Sequence, residues 1–143
     1  MIRRKTGKTR KNVQVDFSGA FDELKKGIYS DTAKIIQEGF SDIVKETPVD
    51  TGYAKSNWFV LFGDGPGISA PEKHGGPYRS EGQVIDDGSG IIKILKKHGF
   101  KERLRFYNPT PYMGMLEYGH SSQNKFFVRR SVKKMANKIS SLR

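Results

Sequence analysis

The sequence contains no cysteine, which excludes a disulfide framework and cysteine-based zinc sites and leaves stability to packing or to partner subunits. No apolar run approaches the roughly 20 residues needed to cross a bilayer, and the basic stretch near the N-terminus is followed by no apolar segment of the signal-peptide kind. The expectation is a protein made and kept in the cytoplasm, without membrane contact. No internal repeat is found. No Gly-rich segment has phosphate-loop spacing, and Ser, His and Asp form no nucleophile-elbow string. His74, His98 and His120 show neither HxH nor HExxH spacing, so neither a metal nor any other cofactor is expected.

Acidic residues are scarce beside basic ones: 15 Asp and Glu against 26 Lys and Arg give a formal charge of +11 and a pI near 9.9. That balance points to a polyanion or an acidic partner surface, with a solvated basic surface as the plainer alternative. A length of 143 residues, 35% of them hydrophobic, fits one domain of ordinary globular composition.

Residues 1–12 have almost nothing to bury and carry Arg3, Arg4, Lys5, Lys8, Arg10 and Lys11. They read as a flexible basic arm whose cations are candidates for DNA contact. Residues 13–143 read as a single α+β domain. Val13 and Val15 alternate with polar residues in a short strand. From Phe17 the period changes, and Phe21, Leu24, Ile28, Thr32, Ile36, Phe40 and Ile43 fall on one helical face. This predicts a long N-terminal helix with Ser18 as N-cap, Asp22 and Glu23 in its first turn and Pro48 as its stop. Gly27 and Gly39 inside it mark a kink or a close backbone contact.

Beyond it, AKSNWFVLF places Ser56, Trp58, Val60 and Phe62 on one face of a strand. Residues 63–90 hold half of the glycines and half of the prolines and read as a long loop. Ser89 is placed to cap a short helix, IIKILKKH, ending at Gly99. Residues 102–108 predict a strand ending at Asn108, Pro109 and Pro111 a turn, and YMGMLEYG two helical turns ending at Gly119. From about Lys125 a basic amphipathic C-terminal helix places Val128, Val132, Met135, Ile139 and Leu142 on one stripe. The expected architecture is α+β, with the long helix packed on a small, mostly antiparallel sheet.

Two strings invite a chemical reading. Asp50-Thr51-Gly52 matches the start of the aspartic-protease loop, but it follows a helix rather than a strand, and bulky Tyr53 stands where a small residue is needed. A turn in which Gly52 supplies positive φ fits better. Glu117 and His120 lie three residues apart and suit a metal or an acid–base pair, yet nothing else in the sequence converges on them.

Two longer strings carry more information: T-PVDTG-YAKSNW at residues 47–58 and YNPTPYMGMLEYGHSSQNKFFVRRSV at residues 107–132. Together they resemble the neck or tail-completion family of long-tailed bacteriophages, the lambda-like tail-completion proteins among them. The matching positions are Pro48, Val49, Asp50, Thr51 and Gly52 in the first string. In the second they are Asn108, Pro111, Tyr112, Glu117, Tyr118, Gly119, Ser121 and Gln123. The likeness covers roughly residues 18–140, apart from the variable region 63–90, and the Phe126-Phe127 pair departs from the turn that relatives carry there.

The resemblance implies a structural virion protein without catalytic residues, at the neck or the top of the tail. It implies a ring-forming homo-oligomer that meets the tail terminator, the tail tube and head-closure or connector proteins, with genomic DNA close by. The rival readings are a sequence-neutral nucleic-acid-binding accessory protein, using the arm and the last helix, and an enzyme using Asp50 or Glu117.

Overall fold

A computed structural model describes residues 3–6, 12–17, 29–48, 52–63, 78–93, 103–113, 117 and 126–142. The fold is α+β. Its strands are β1 (Arg3–Thr6), β2 (Val13–Asp16), β3 (Phe59–Phe62) and β4 (Leu104–Asn108), and its helices are α1 (Tyr29–Glu46), the single turn α2 (Tyr53–Ser56), α3 (Glu81–Ile92) and α4 (Phe127–Ser140). The strands form one sheet in the order β1-β2-β4-β3. Every pairing is antiparallel, and Val15, Phe106 and Val60 stand opposite one another across three strands.

Alternation along the strands sends Val13, Val15, Val60, Leu104 and Phe106 into one buried cluster with α1, α3 and α4. α1 lies in the middle of the helical layer, with α3 on one flank and α4 on the other. Its Thr32, Ile36, Phe40 and Ile43 are buried as the periodicity predicts, and the Phe40 ring meets Phe106 edge-on at 5.0 Å. The expected helix start, with Ser18, Asp22, Glu23 and Gly27, lies outside the described residues.

Two glycines set the helix separations. A Cβ at Gly39 of α1 would stand 2.1 Å from Met135 Sδ of α4, and one at Gly88 of α3 would stand 2.2 Å from Phe40 Cε2. Gly39 is thus the close contact that its place inside a helix suggested.

Three expectations need correction. Arg3–Thr6, placed in a flexible arm, form an edge strand registered against Asp16–Val13. The backbone hydrogen bonds of this four-residue ladder offset the ordering cost that its side chains alone would not. Residues Lys8, Arg10 and Lys11 lie outside the described residues.

The Gly/Pro-rich region 63–90 contains most of α3, whose N-cap is Ser80 and not Ser89; the Ser80 hydroxyl accepts from Gln83 N–H at 3.1 Å. Val84, Gly88 and Ile92 form its buried face at steps of four, so Gly88 is a packing residue where composition alone suggested a loop. Residues 64–77 and 94–100, His74 and His98 among them, lie outside the described residues. The strand expected from Ala54 begins only at Phe59. Tyr53–Ser56 make a helical turn instead, closed by Ser56 N–H to Gly52 O at 3.0 Å.

Gly88→Ala is expected to cost about 1–3 kcal/mol, because the buried Phe40 ring cannot retreat from an added methyl. Gly39→Ala should cost less, since Met135 is an unbranched thioether that can change rotamer. Gly90→Ala, with nothing within 4 Å of the new Cβ, should stabilise the helix by about 0.5–1 kcal/mol. Urea melts of the three variants check the order; equal midpoints for Gly88→Ala and Gly90→Ala would refute the close-approach role.

Candidate functional site

The two motif strings, separated by about fifty residues in the chain, meet at one buried joint. Gly52 adopts φ 85°, the left-handed region that its place in the turn calls for, and delivers the chain into α2. The carbonyl of buried Ala54 accepts from Asn108 Nδ2 at 2.8 Å, while Asn108 Oδ1 accepts from Thr110 N–H at 3.0 Å. Asn57 Nδ2 returns a bond to Thr110 Oγ1 at 3.0 Å. Asn108 is completely buried, so its amide is the polar bolt that fixes the end of β4 to α2.

A second bond chain secures the turn from the other side. The indole N–H of Trp58, itself fully buried, donates to Thr47 Oγ1 at 2.8 Å, and that hydroxyl donates to Ile43 O at 2.7 Å. The C-terminal turn of α1 is thereby tied to the start of β3. Pro48 is buried beside it and Pro111 is exposed. Tyr112 stands near Tyr53, with ring centroids 6.4 Å apart, and Tyr53 meets Tyr78 edge-on at 5.6 Å.

Glu117, the acid singled out for chemistry, has 0% exposure. Its Oε1 accepts from Val128 N–H at 3.1 Å and its Oε2 from Arg129 N–H at 3.2 Å, while its carbonyl accepts from Phe126 N–H at 2.7 Å. These are groups of the first turn of α4, left without intrahelical partners. Phe126 at the N-cap position has φ 57° and offers no side-chain cap, so a carboxylate from eleven residues upstream supplies the anion that the positive helix end favours. The Arg129 guanidinium lies 4.6 Å over the Phe126 ring. The Phe126-Phe127 pair thus supplies the N-cap and the first residue of α4.

Arg79, which composition had consigned to a loop, is a further clasp. It donates through Nη2 to Ser56 O and Trp58 O, both at 2.8 Å, and through Nη1 to Asp87 at 2.8 Å, and it lies 4.5 Å over the Phe59 ring. Lys55 adds a bond to Glu81 at 2.9 Å. Nothing in the spacing of Arg79 marks this role; only the approach of α3 to β3 creates it.

On the face of the sheet away from the helices, Asp16 is paired with Arg103 through both carboxylate oxygens, and Gln14, Phe59, Leu61 and Tyr107 are half-buried. The remaining motif positions, Asp50, Thr51, Tyr118, Gly119, Ser121 and Gln123, and also His120, lie outside the described residues. Among the described residues no three acids or histidines gather in a metal-holding group, and no helix is long and apolar enough to cross a membrane.

Glu117→Ala should destabilise the protein by about 1.5–3 kcal/mol, the loss expected when hydrogen bonds to a charged, buried acceptor are removed. Glu117→Gln keeps one acceptor oxygen and should fall between the two. Asn108→Asp should also be destabilising, because its second oxygen would face the Ala54 carbonyl in place of a donor. Thermal melts rank the three; a Glu117→Ala melt equal to the parent would mean that the cap is not needed.

No protein-family model, curated protein or solved structure matches the chain.

Proposed function

We propose that the chain is a structural virion protein of a tailed bacteriophage, a neck or tail-completion subunit that helps join the tail to the head connector through protein contacts. The observation that supports this most directly is the fate of the motif residues. Where they are described, Gly52, Asn108 and Glu117 are spent on turning the chain, bolting β4 to α2 and capping α4. A catalytic acid has to reach a substrate, whereas the Glu117 carboxylate is buried with backbone N–H groups on both oxygens. A shared pattern of such framework residues is what a family of assembly subunits with a common scaffold would keep in its sequences.

In this reading copies of the subunit form a ring between the tail tube and the head connector. Cyclic symmetry needs a heterologous contact, one surface of a subunit meeting a different surface of its neighbour. The half-buried Leu61 and Tyr107 on the sheet face away from the helices have the aliphatic and aromatic character that the centre of a subunit contact uses. The partners are the tail terminator, the tail tube and head-closure or connector proteins, and the site of action is the virion neck or the top of the tail.

Two measurements test this. Particles assembled without the protein should accumulate as full heads beside finished, unattached tails when imaged. Light scattering after size exclusion should show either a ring-sized oligomer or a complex with tail-terminator or tube protein. A persistent monomer that binds neither, together with normal joining in its absence, would reject the proposal.

A further inference from the structure

The outer face of α4 is exposed and cationic. Arg129, Arg130 and Lys133 are exposed there together with Asn137 and Ser140. Lys134 and Lys138 are placed differently: they lie 3.7 Å from Asp42 and 3.5 Å from Glu38 of the antiparallel neighbour α1. Among the described residues no carboxylate pairs with Arg129, Arg130 or Lys133. The fold also brings α4 alongside β1, the strand whose sequence is Arg-Arg-Lys-Thr. Two basic segments more than a hundred residues apart in the chain are therefore neighbours at one end of the sheet.

From these exposed, unpaired cations we infer that the outer face of α4 is a cationic surface that contacts the phosphate backbone of duplex DNA without reading its sequence. The composition of the face selects this occupant over an acidic protein. A protein contact takes its affinity from buried aromatic or aliphatic anchors, and the outer face of α4 offers only Arg, Lys, Asn and Ser. Those are the side chains that donate to phosphate oxygens. Among the apolar residues at the start and middle of the helix, Phe127, Val128 and Met135 are turned into the core and Val132 is half-buried against it. A contact made only of exposed cations is screened by salt and loosens readily. Its existence depends on this surface alone, whether or not the subunit belongs to a neck.

The test is binding of the full chain to 20-bp duplexes of unrelated sequence, followed by fluorescence anisotropy over a range of salt concentrations. Unrelated duplexes should bind equally, with a linear fall of log affinity against log salt. The variant Arg129→Gln/Arg130→Gln/Lys133→Gln should lower that slope by about 2.7, since each phosphate contact contributes about 0.9. Glutamine is a good helix former, so an unchanged circular dichroism melt will show that α4 persists. Lys134→Gln/Lys138→Gln should reduce the slope less than that triple change, because both lysines already face carboxylates of α1. An unchanged slope in the α4 variant, or a strong preference for one sequence, overturns the inference. So does binding to polyglutamate with none to duplex, which would assign the face to an acidic protein.

Discussion

The ring of Phe40 has to fit between a sheet and a helix at once, and most of the architecture follows from that requirement. On one side it meets Phe106 in the central strand β4; on the other it leaves α3 no room for even a Cβ at position 88. α1 can be buried on the sheet and on both flanks only because Gly88 and Gly39 let the neighbouring helices come close. Close-packed interiors transmit such constraints, since a methyl group has nowhere to go. α3 in turn carries Arg79 and Glu81 to the α2–β3 segment, so the clasp on Ser56, Trp58 and Lys55 depends on the same approach.

The polar joint solves the complementary problem. A chain that leaves α1, makes one turn at α2 and enters a strand strands several carbonyls and N–H groups away from any regular ladder, and each would be costly if buried unpaired. The Asn108 side chain satisfies Ala54 O and Thr110 N–H and the Thr47 hydroxyl donates to Ile43 O, while the side chains of Asn57 and Trp58 donate to the hydroxyls of Thr110 and Thr47 and hold them in place. Glu117 does the same for the start of α4. Specific polar residues are consequently concentrated at the corners of this fold, where the chain leaves its regular ladders.

The elements that could be read in the sequence are those whose periodicity is strong and whose signals are local. The α1 stripe from Thr32 to Ile43, the strand ending at Asn108, the α4 stripe of Val128, Met135 and Ile139, and the positive φ of Gly52 belong to this group. α3 did not, because Gly82, Gly88 and Gly90 lower helix propensity and imitate a loop. The turn at Tyr53–Ser56 did not either, because alternation from Ser56 to Phe62 cannot reveal that Asn108 waits to take the Ala54 carbonyl.

By itself the sequence determined the α+β class, the absence of any disulfide, the excess of positive charge and the faces that α1 and α4 bury, because each depends on composition or on short-range spacing. Only the tertiary structure decided that Arg3–Thr6 form a strand, that Glu117 caps a helix eleven residues away, and that a basic strand and a basic helix lie side by side. In each case the reason is the same: the partner group is distant in the chain, and hydrogen bonds or charges separated by many residues leave no period in the sequence by which to find them.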